Sequence, residues 1–357
     1  MESTKSFDEP YQRLEKLWAE MNDLSSEGMV ACSSGTAALH LALESLKLPN
    51  GSYVAVPDYT MIACARAVTL AGLKPVFIDC TSDLLIDVEK IWNAGSESAK
   101  QKISLQAIMA VHIYGRRCNM EAIANYAEVH GLRVIEDLAE AHGMKPCAKA
   151  DAACWSFYKN KVVAGEEGGA VWFRNEDHAR LARMLRNQGF TAEHDFRHVP
   201  YGHNYRLANC LAELIILSVT NLSYNVNHRR NLEELYRQYC PTEWQMPARE
   251  VPWVYDLRIP ELSREDQRKI VTTLNQEGIQ ARIGFYPLSL QEEYIDVRPE
   301  QRMGPVHKTW QSDVASREVF YLPLHPDTPF DAPQKASRLI QAFLAELPGS
   351  KKLPARP

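Results

Sequence analysis

The feature that most constrains the fold is an alternation of short apolar runs with segments of helical length. Neighbouring parallel strands need crossover connections, and these crossovers cover both faces of the sheet. The pattern therefore predicts an α/β fold with a mostly parallel central sheet and flanking helices. The alternating stretches are, in chain order, "GMVACSSGTAALHLALESLKL", "YVAVPDYT", "MIACARAVTLAGLK", "PVFIDC", "AIMAVHIY", "NMEAIANYAEVHG" and "LRVIED".

The segments outside this alternation predict a first helix and a second, smaller domain. In residues 9–24 the leucines and a methionine recur at helical spacing, which predicts an amphipathic helix. "ACWSFY" and "GGAVWF" read as two more strands, and "NCLAELIILSVTNLSYNVNHRRNLEELYRQY" as a long helix. The order of elements changes near Val251. We therefore expect a large domain over residues 1–250 and a small α+β domain over 251–357.

Composition narrows the classes of partner. The 357 residues carry a net charge of −5, with 45% hydrophobic and 24% charged residues. Nucleic acids and anionic membranes both attract an excess of clustered lysine and arginine, so neither is expected as a partner. No run approaches the ~18 apolar residues of a membrane span, and the N-terminus is charged. A cytoplasmic protein with small-molecule partners is expected.

The eight cysteines are scattered without a C-x-x-C pair. Most of them lie inside apolar runs, which favours reduced thiols in the core over disulfides or zinc ligands. We expect no metal site.

A first candidate site is "CSSGTAAL", residues 32–39, between a predicted strand and a predicted helix. The amide groups at a helix N-terminus favour an anion, and the small residues Ser34, Gly35 and Thr36 let a phosphate approach closely. Serine and threonine are also preferred helix caps, so this stretch alone leaves a purely structural cap open.

A second candidate is "VIEDLAEAHG", residues 134–143, where an apolar strand ends in Glu136 and Asp137. Ligands in open α/β sheets bind beyond the carboxyl ends of strands, so an acid here can meet one. The alternative is that the acid caps a helix over "LAEAHG". His142 by itself indicates only a packed or solvent-facing histidine.

A third candidate is "SFYKNKVVAGEEGG", residues 156–169, with Lys159 and Lys161. Most lysines are solvated surface charges. However, an amine that can form a Schiff base, an acid that protonates a pyridine nitrogen and a phosphate cradle are the parts that pyridoxal phosphate requires. The three candidates together therefore favour a site for this cofactor.

The sequence resembles the DegT/DnrJ/EryC1/StrS family of sugar aminotransferases from about residue 29 to residue 345. This resemblance implies a pyridoxal-phosphate-dependent transferase of fold type I, the aspartate-aminotransferase fold. The matching stretches are "SSGTAALHLAL", "VPDYTMIACARAVTLAGLKPVFID", "VHIYGRRCNMEAIANYAEVHGLRVIEDLAEAHG", "SFYKNKVVAGEEGGAVWF", "LRNQG", "GHNYRLANCLAEL" and "YLPLHP".

The resemblance assigns roles to individual positions. It makes Lys161 the Schiff-base lysine and Asp137 the partner of the pyridine nitrogen, and it places Glu140 near the cofactor's 3-hydroxyl. Lys159 is then a solvated neighbour. Met61 stands where many members have an aromatic ring that stacks on the cofactor; a thioether packs there more loosely.

The same resemblance implies how the phosphate is held. Ser34, Gly35 and Thr36 resemble the phosphate loop, and Ser156 adds a hydroxyl. Asn204, in "GHNYR", matches an asparagine that reaches the phosphate of the neighbouring subunit. A homodimer with shared active sites follows from the resemblance.

The implied reaction moves an amino group from an amino acid, by family habit glutamate, to a keto-sugar that is usually nucleotide-linked. Lys161 acts in turn as nucleophile and proton carrier, and we expect its pKa to be lowered in the folded site. Two alternatives stay open: another keto substrate such as a cyclitol ketone, and a non-catalytic protein with a regulatory or partner role. The retention of Lys161, Asp137 and the Ser34–Thr36 loop argues against the last.

Overall fold

The computed structural model describes residues 8–92, 105–191, 196–198, 201–295, 302–303 and 310–347. Its first seven strands match the strands that the sequence predicts. The strands are β1 Met29–Cys32, β2 Tyr53–Pro57, β3 Lys74–Ile78, β4 Leu105–Val111, β5 Arg133–Asp137, β6 Ala152–Ser156, β7 Gly169–Phe173, β8 Val254–Arg258, β9 Arg282–Ile283, β10 Arg302–Met303 and β11 Val319–Pro323.

The central sheet has the strand order β1-β7-β6-β5-β4-β2-β3-β10. Pairing is parallel from β6 through β5, β4, β2 and β3 to β10. Strand β7 runs antiparallel to both of its neighbours, β1 and β6. The prediction of an α/β fold with a mostly parallel sheet is therefore confirmed.

Both faces of this sheet are buried. On β2, Val54 and Val56 belong to one apolar cluster and Ala55 belongs to another, because successive side chains of a strand point to opposite faces. The strands consequently read as continuous apolar runs, as expected for a sheet that is covered on both sides.

The helices cover the sheet and complete the two apolar layers. Helix α2 packs against β6 and β7, and α4 packs against β4 and β5. The helices are α1 Pro10–Met21, α2 Gly35–Ser45, α3 Ala63–Leu70, α4 Met120–His130, α5 Glu176–Arg186, α6 Asn209–Thr220, α7 Leu222–Tyr239, α8 Arg264–Gln276, α9 Gln311–Glu318 and α10 Ala332–Glu346.

The single long helix predicted over residues 209–239 is wrong, because the structure has two helices that meet at Asn221. The side chains of Thr220 and Asn221 both donate to the carbonyl of Leu217, at 2.7 and 3.1 Å. Such side-chain bonds compete with the backbone bonds that would continue the helix.

A second sheet, of order β8-β11-β9, carries its own apolar cluster with α8 and α10. The α7 residues Leu232 and Tyr236 also belong to this cluster. The division of the chain at residue 251 stays a prediction. Asp256 on β8 forms buried ion pairs with Arg116, which lies beyond β4, and with Arg249. Burial alone would raise the pKa of Asp256, but the two guanidinium groups hold it below its usual range.

The eight cysteines are all unpaired thiols, and six of them are buried. In the described part of the chain, no helix combines the length and the apolar character that crossing a bilayer requires.

Candidate active site

The carboxyl ends of β1, β5 and β6 meet at one edge of the central sheet, where a cavity of about 400 Å³ opens. This volume lies in the range of small-molecule and cofactor sites. Eight residues that the sequence singled out line it: Ser34, Gly35, Thr36, Met61, Asp137, Glu140, Ser156 and Lys161.

The N-terminus of α2 forms one wall of the cavity. Ser34 caps this helix, because its Oγ accepts a hydrogen bond from the amide of Ala37 at 3.1 Å. The amides of Gly35 and Thr36 lie in the first helical turn, where no intrahelical acceptor is available. The Ser34 cap and the free amides therefore occur at the same helix end. A structural cap does not exclude an anion site at this stretch.

Two glycines allow the strands to approach this loop closely. A Cβ on Gly35 would lie 2.6 Å from Cβ of Ser156, and a Cβ on Gly169 would lie 2.2 Å from the carbonyl oxygen of Ser34. Real Cβ atoms do not come this close, so larger residues would push the loop away from β6 and β7.

Asp137 ends β5, and the residues after it form turns, so the alternative of a helix over "LAEAHG" is wrong. Its Oδ1 accepts from the amide of Ala139 at 2.9 Å, and its Oδ2 accepts from the Cys64 thiol at 3.3 Å. Burial raises the pKa of the Asp137 carboxyl, and these two hydrogen bonds act in the opposite direction.

Lys161 lies in the loop between β6 and β7, and its side chain is only 12% exposed. Its Nζ is 4.0 Å from Oε1 of Glu140 and 4.0 Å from the ring centroid of Trp253. Burial lowers the pKa of Lys161, whereas Glu140 and Asp137 raise it. The expected direction of the pKa shift is thus confirmed. Lys159 is exposed, as expected for a solvated neighbour.

Glu140 is held on the opposite side of its carboxyl group, where Oε2 accepts from the amide of Tyr114 at 2.8 Å. Burial raises the pKa of Glu140 to about 7, and Lys161 acts against that rise. This carboxyl can therefore change its charge near neutral pH.

Two neighbouring polar residues are structural. Glu136 binds His112 at 2.9 Å in the core, and neither residue lines the cavity. His142 is buried against Trp18 and Phe157, and its Nδ1 accepts from the amide of Val163 at 3.0 Å. Burial lowers the pKa of His142 to about 3.

Sequence reasoning missed the part of the lining that comes from the C-terminal half of the chain. Trp253, Arg282, Phe285 and Tyr321 come from in and around the smaller sheet, and Asn160 precedes the lysine. The stretch "YLPLHP", which contains Tyr321, matched the family without assigning a role to any side chain. Among the described residues, the buried Oδ1 of Asn160 has no hydrogen-bond partner, so it is available to a ligand.

A second cavity of about 400 Å³ adjoins the first and shares Asn160, Trp253, Arg282 and Tyr321 with it. Its lining adds three basic side chains and two acids: Lys159, Arg229, His325, Glu166 and Asp327. The exposed Glu166 adopts a left-handed conformation, with φ of 66°.

Arg229 is the buried cation of this second cavity, with 2% of the residue exposed. Its guanidinium donates to the carbonyl of Trp253 at 2.7 Å, and burial lowers its pKa to about 10. With Arg282, the lining of the second cavity is therefore more basic than acidic.

Asn204 does not line either of these cavities in its own chain. It lies in a separate depression with Tyr11, Arg186 and Asn187, and it pairs with Asn187 through a β-bridge. Its predicted contact with a neighbouring subunit stays a prediction.

The first cavity fits pyridoxal phosphate. It combines anion-binding amides without intrahelical partners, a carboxyl group at a strand end and a desolvated amine. Gly35 and Gly169 let the Ser34–Thr36 loop lie against β6 and β7, where its amides can meet a phosphate.

Comparison with known proteins agrees with this arrangement. The DegT/DnrJ/EryC1/StrS aminotransferase family matches residues 5–341. GDP-perosamine synthase of Caulobacter vibrioides is 31% identical over 280 residues, which are 74% of each chain. UDP-N-acetyl-3-dehydro-alpha-D-glucosamine 3-aminotransferase of Acidithiobacillus ferrooxidans is 30% identical over 84% of this chain and 79% of its own.

The fold is likewise shared with solved structures. A DegT DnrJ EryC1 StrS aminotransferase from Brucella abortus superposes with a TM-score of 0.82 at 25% identity, over 94% of this chain and 90% of that one. Together with the lysine, acid and helix N-terminus in one cavity, these matches show that the chain is an aminotransferase of the DegT/DnrJ/EryC1/StrS family.

Proposed function

We propose that this protein uses pyridoxal phosphate to transfer an amino group from an amino acid, with glutamate as the first donor to test, to a nucleotide-linked keto-sugar. The observation that carries the proposal is one cavity that contains the Lys161 amine, the Asp137 carboxyl and the N-terminus of α2. The names of the two relatives above both include a nucleotide sugar, which supports that class of acceptor.

We assign the cofactor's binding to residues at the edge of the central sheet. Ser34, Gly35, Thr36 and Ser156 hold the phosphate, because their amides and hydroxyls can donate to it. Asp137 holds a proton on the ring nitrogen through its carboxylate. When bound, pyridoxal phosphate supplies a carbonyl that takes up the amino group and a ring that accepts electrons.

Lys161 is the residue we assign to covalent attachment and proton transfer. Burial favours its neutral amine, which can accept a proton. The Glu140 carboxylate and the Trp253 ring favour the ammonium form, which can donate the proton again. These opposing effects bring the pKa of Lys161 toward the working pH, as a proton carrier requires.

The second cavity is where we place the nucleotide part of the acceptor. Arg229, Arg282 and Lys159 offer positive charge to phosphate groups. Asn160 and Tyr321 line both cavities, so they lie where the sugar would pass from one to the other.

We also propose that two copies of the chain form a homodimer in which Asn204 reaches the phosphate of the partner. Asn204 lies outside its own chain's cavity and lines a separate depression, which supports a contribution to the partner's site. Leu214, Leu217 and Tyr224, on α6 and α7, are 47%, 63% and 65% exposed, which supports an apolar face that a second copy covers.

The test begins with the full chain loaded with cofactor. Borohydride should fix the cofactor to Lys161, and glutamate should bleach the visible band of the attached cofactor. Lys161→Ala should abolish the fixed linkage, whereas Lys159→Ala should retain it. A linkage that survives in Lys161→Ala contradicts the lysine assignment.

The acceptor is tested separately, in the second half-reaction. Keto-sugars linked to GDP, UDP or dTDP should restore the visible band and leave an amino sugar that mass spectrometry detects. Lys159→Ala should raise KM for the acceptor and leave the glutamate half-reaction unchanged. Faster turnover of a ketone without a nucleotide, such as a cyclitol ketone, would reject the acceptor and leave the cofactor assignment intact.

A further inference from the structure

A second cluster of chemically active side chains lies outside both cavities, on the far part of α2. His40 and Glu44 are one helical turn apart, and His203 approaches them from the segment that carries Asn204. One ligand atom from each of these three residues lies within 4.8 Å of the other two. His40 Nε2 is 3.6 Å from Glu44 Oε1, and His203 Nε2 is 2.7 Å from Glu44 Oε2.

His40 supplies an independent sign that the cluster accepts a ligand. The residue is 3% exposed, and its Nε2 has no hydrogen-bond partner among the described residues. Its Nδ1 lies 3.1 Å from the hydroxyl of Tyr205. We assign the ring proton to Nδ1, which donates to this hydroxyl, so that Nε2 keeps a free lone pair.

The protonation of His40 suits a metal ligand. Burial lowers the pKa of His40, although Glu44 acts in the opposite direction. Burial thus favours the neutral ring, which is the form that coordinates metals. A metal-binding histidine is commonly oriented by a hydrogen bond that its other ring nitrogen donates. Here Nδ1 donates to the Tyr205 hydroxyl.

We propose that His40, Glu44 and His203 bind a transition-metal ion, with Zn²⁺ as the expected ion and water as the fourth ligand. Two imidazole nitrogens and one carboxylate suit Zn²⁺, whereas Mg²⁺ and Ca²⁺ require more oxygen ligands. Tetrahedral ligands around Zn²⁺ are roughly 3.3 Å apart, so the side chains need to move by on the order of 1 Å.

The ion would connect two parts of the fold. Helix α2 begins at the Ser34–Thr36 loop, and His203 directly precedes Asn204. A shared ion would hold the Asn204 segment against α2. The sequence did not predict this site, because His203 is 159 residues away from Glu44 and no spaced motif connects them.

Metal binding is measured directly, in the cofactor-loaded full chain, so the result does not depend on the proposed reaction. Every protein in the series carries Cys210→Ser, because Cys210 is exposed and a thiol binds Zn²⁺ by itself. Calorimetry with Zn²⁺ should give one ion per chain. Co²⁺ should give the visible bands of a four-coordinate ion without the thiolate charge-transfer band.

Variants locate the ion. His203→Gln and Glu44→Gln should each weaken Zn²⁺ binding by roughly tenfold or more and remove the rise in Tm that Zn²⁺ causes. Their side chains are 23% and 18% exposed, so these variants should fold, unlike a change at buried His40. His198→Gln, at an exposed histidine, is the matched control and should bind as the parent does.

Two outcomes would overturn the proposal. The first is a parent protein that binds no Zn²⁺. The second is a parent that binds Zn²⁺ with an affinity that His203→Gln and Glu44→Gln leave unchanged, since the ion would then lie elsewhere.

Discussion

Replacing Glu140 with glutamine tests the proposed proton-carrying role of Lys161 with little change in shape. Oε1 of Glu140 lies 4.0 Å from the lysine Nζ, and Oε2 accepts the amide of Tyr114 at 2.8 Å. The carbonyl oxygen of glutamine can accept the same backbone bond. The variant therefore removes a charge and keeps the volume and the anchoring contact.

The distance sets the size of the effect. Two unit charges at this separation attract by about 4 kcal/mol at an effective dielectric constant near 20. This energy is an upper bound on how strongly a fully ionised Glu140 favours the ammonium form of Lys161. Burial raises the pKa of Glu140 to about 7, so the carboxylate is only partly ionised near neutral pH. The contribution of the carboxylate to the pKa of Lys161 is therefore smaller than this bound.

The sign follows from the charges. A carboxylate stabilises the ammonium form of Lys161, so its removal favours the neutral amine and lowers the lysine pKa. The rate of the glutamate half-reaction requires the neutral amine and rises with pH through this pKa. In Glu140→Gln, the acid limb of the rate profile should therefore move to lower pH.

Single-turnover absorbance measurements over a pH series provide the assay. Glu121→Gln, which removes an exposed carboxyl on α4, controls for the change in net charge and should leave the limb in place. An acid limb that stays fixed or moves to higher pH would refute the coupling. A limb that disappears would show that Glu140, rather than Lys161, is the group whose titration limits the rate.

Three further changes test other parts of the structure. Asp256→Ala leaves two buried guanidinium groups without their carboxylate and should lower the free energy of unfolding by about 3–5 kcal/mol, measured in urea. Cys64→Ala removes the thiol donor to Asp137 and should raise the pKa of that carboxyl. Activity should therefore fall first at the acid end of the pH–activity profile, whereas Cys64→Ser should keep the wild-type profile. Gly35→Ala places a Cβ 2.6 Å from Cβ of Ser156 and should weaken cofactor binding by roughly tenfold in equilibrium dialysis. The far-UV circular dichroism spectrum of this variant should stay native.

The parts of the cavity that sequence reasoning found share one physical origin. Ser34, Asp137 and Ser156 lie at or just beyond the carboxyl ends of β1, β5 and β6, and parallel strands bring such ends to one edge. A pattern of strands and helices is enough to predict this convergence. The same argument does not predict the part of the lining that comes from in and around the smaller sheet, since the position of that sheet depends on tertiary packing.

Cys64 shows the limit within a single element. The prediction of a buried, reduced thiol is confirmed, but the pattern gave no reason to connect this thiol with Asp137. Their contact depends on how α3 packs on the central sheet, across 73 residues of sequence. Local periodicity specifies that a side chain is buried, and the packing of distant elements specifies what it touches.

The contrast between Lys159 and Lys161 shows what turns a lysine motif into a site. Both lysines follow the same strand, yet only Lys161 lies under the ring of Trp253. Trp253 is held by two hydrogen bonds. Its ring Nε1 donates to the carbonyl of Asn160 at 2.8 Å, and its backbone carbonyl accepts from Arg229 of α7. Residues that are distant in sequence bury one amine and leave its neighbour in solvent. The motif therefore selects the register, and the burial that tertiary contacts provide supplies the lowered pKa on which the proposed chemistry depends.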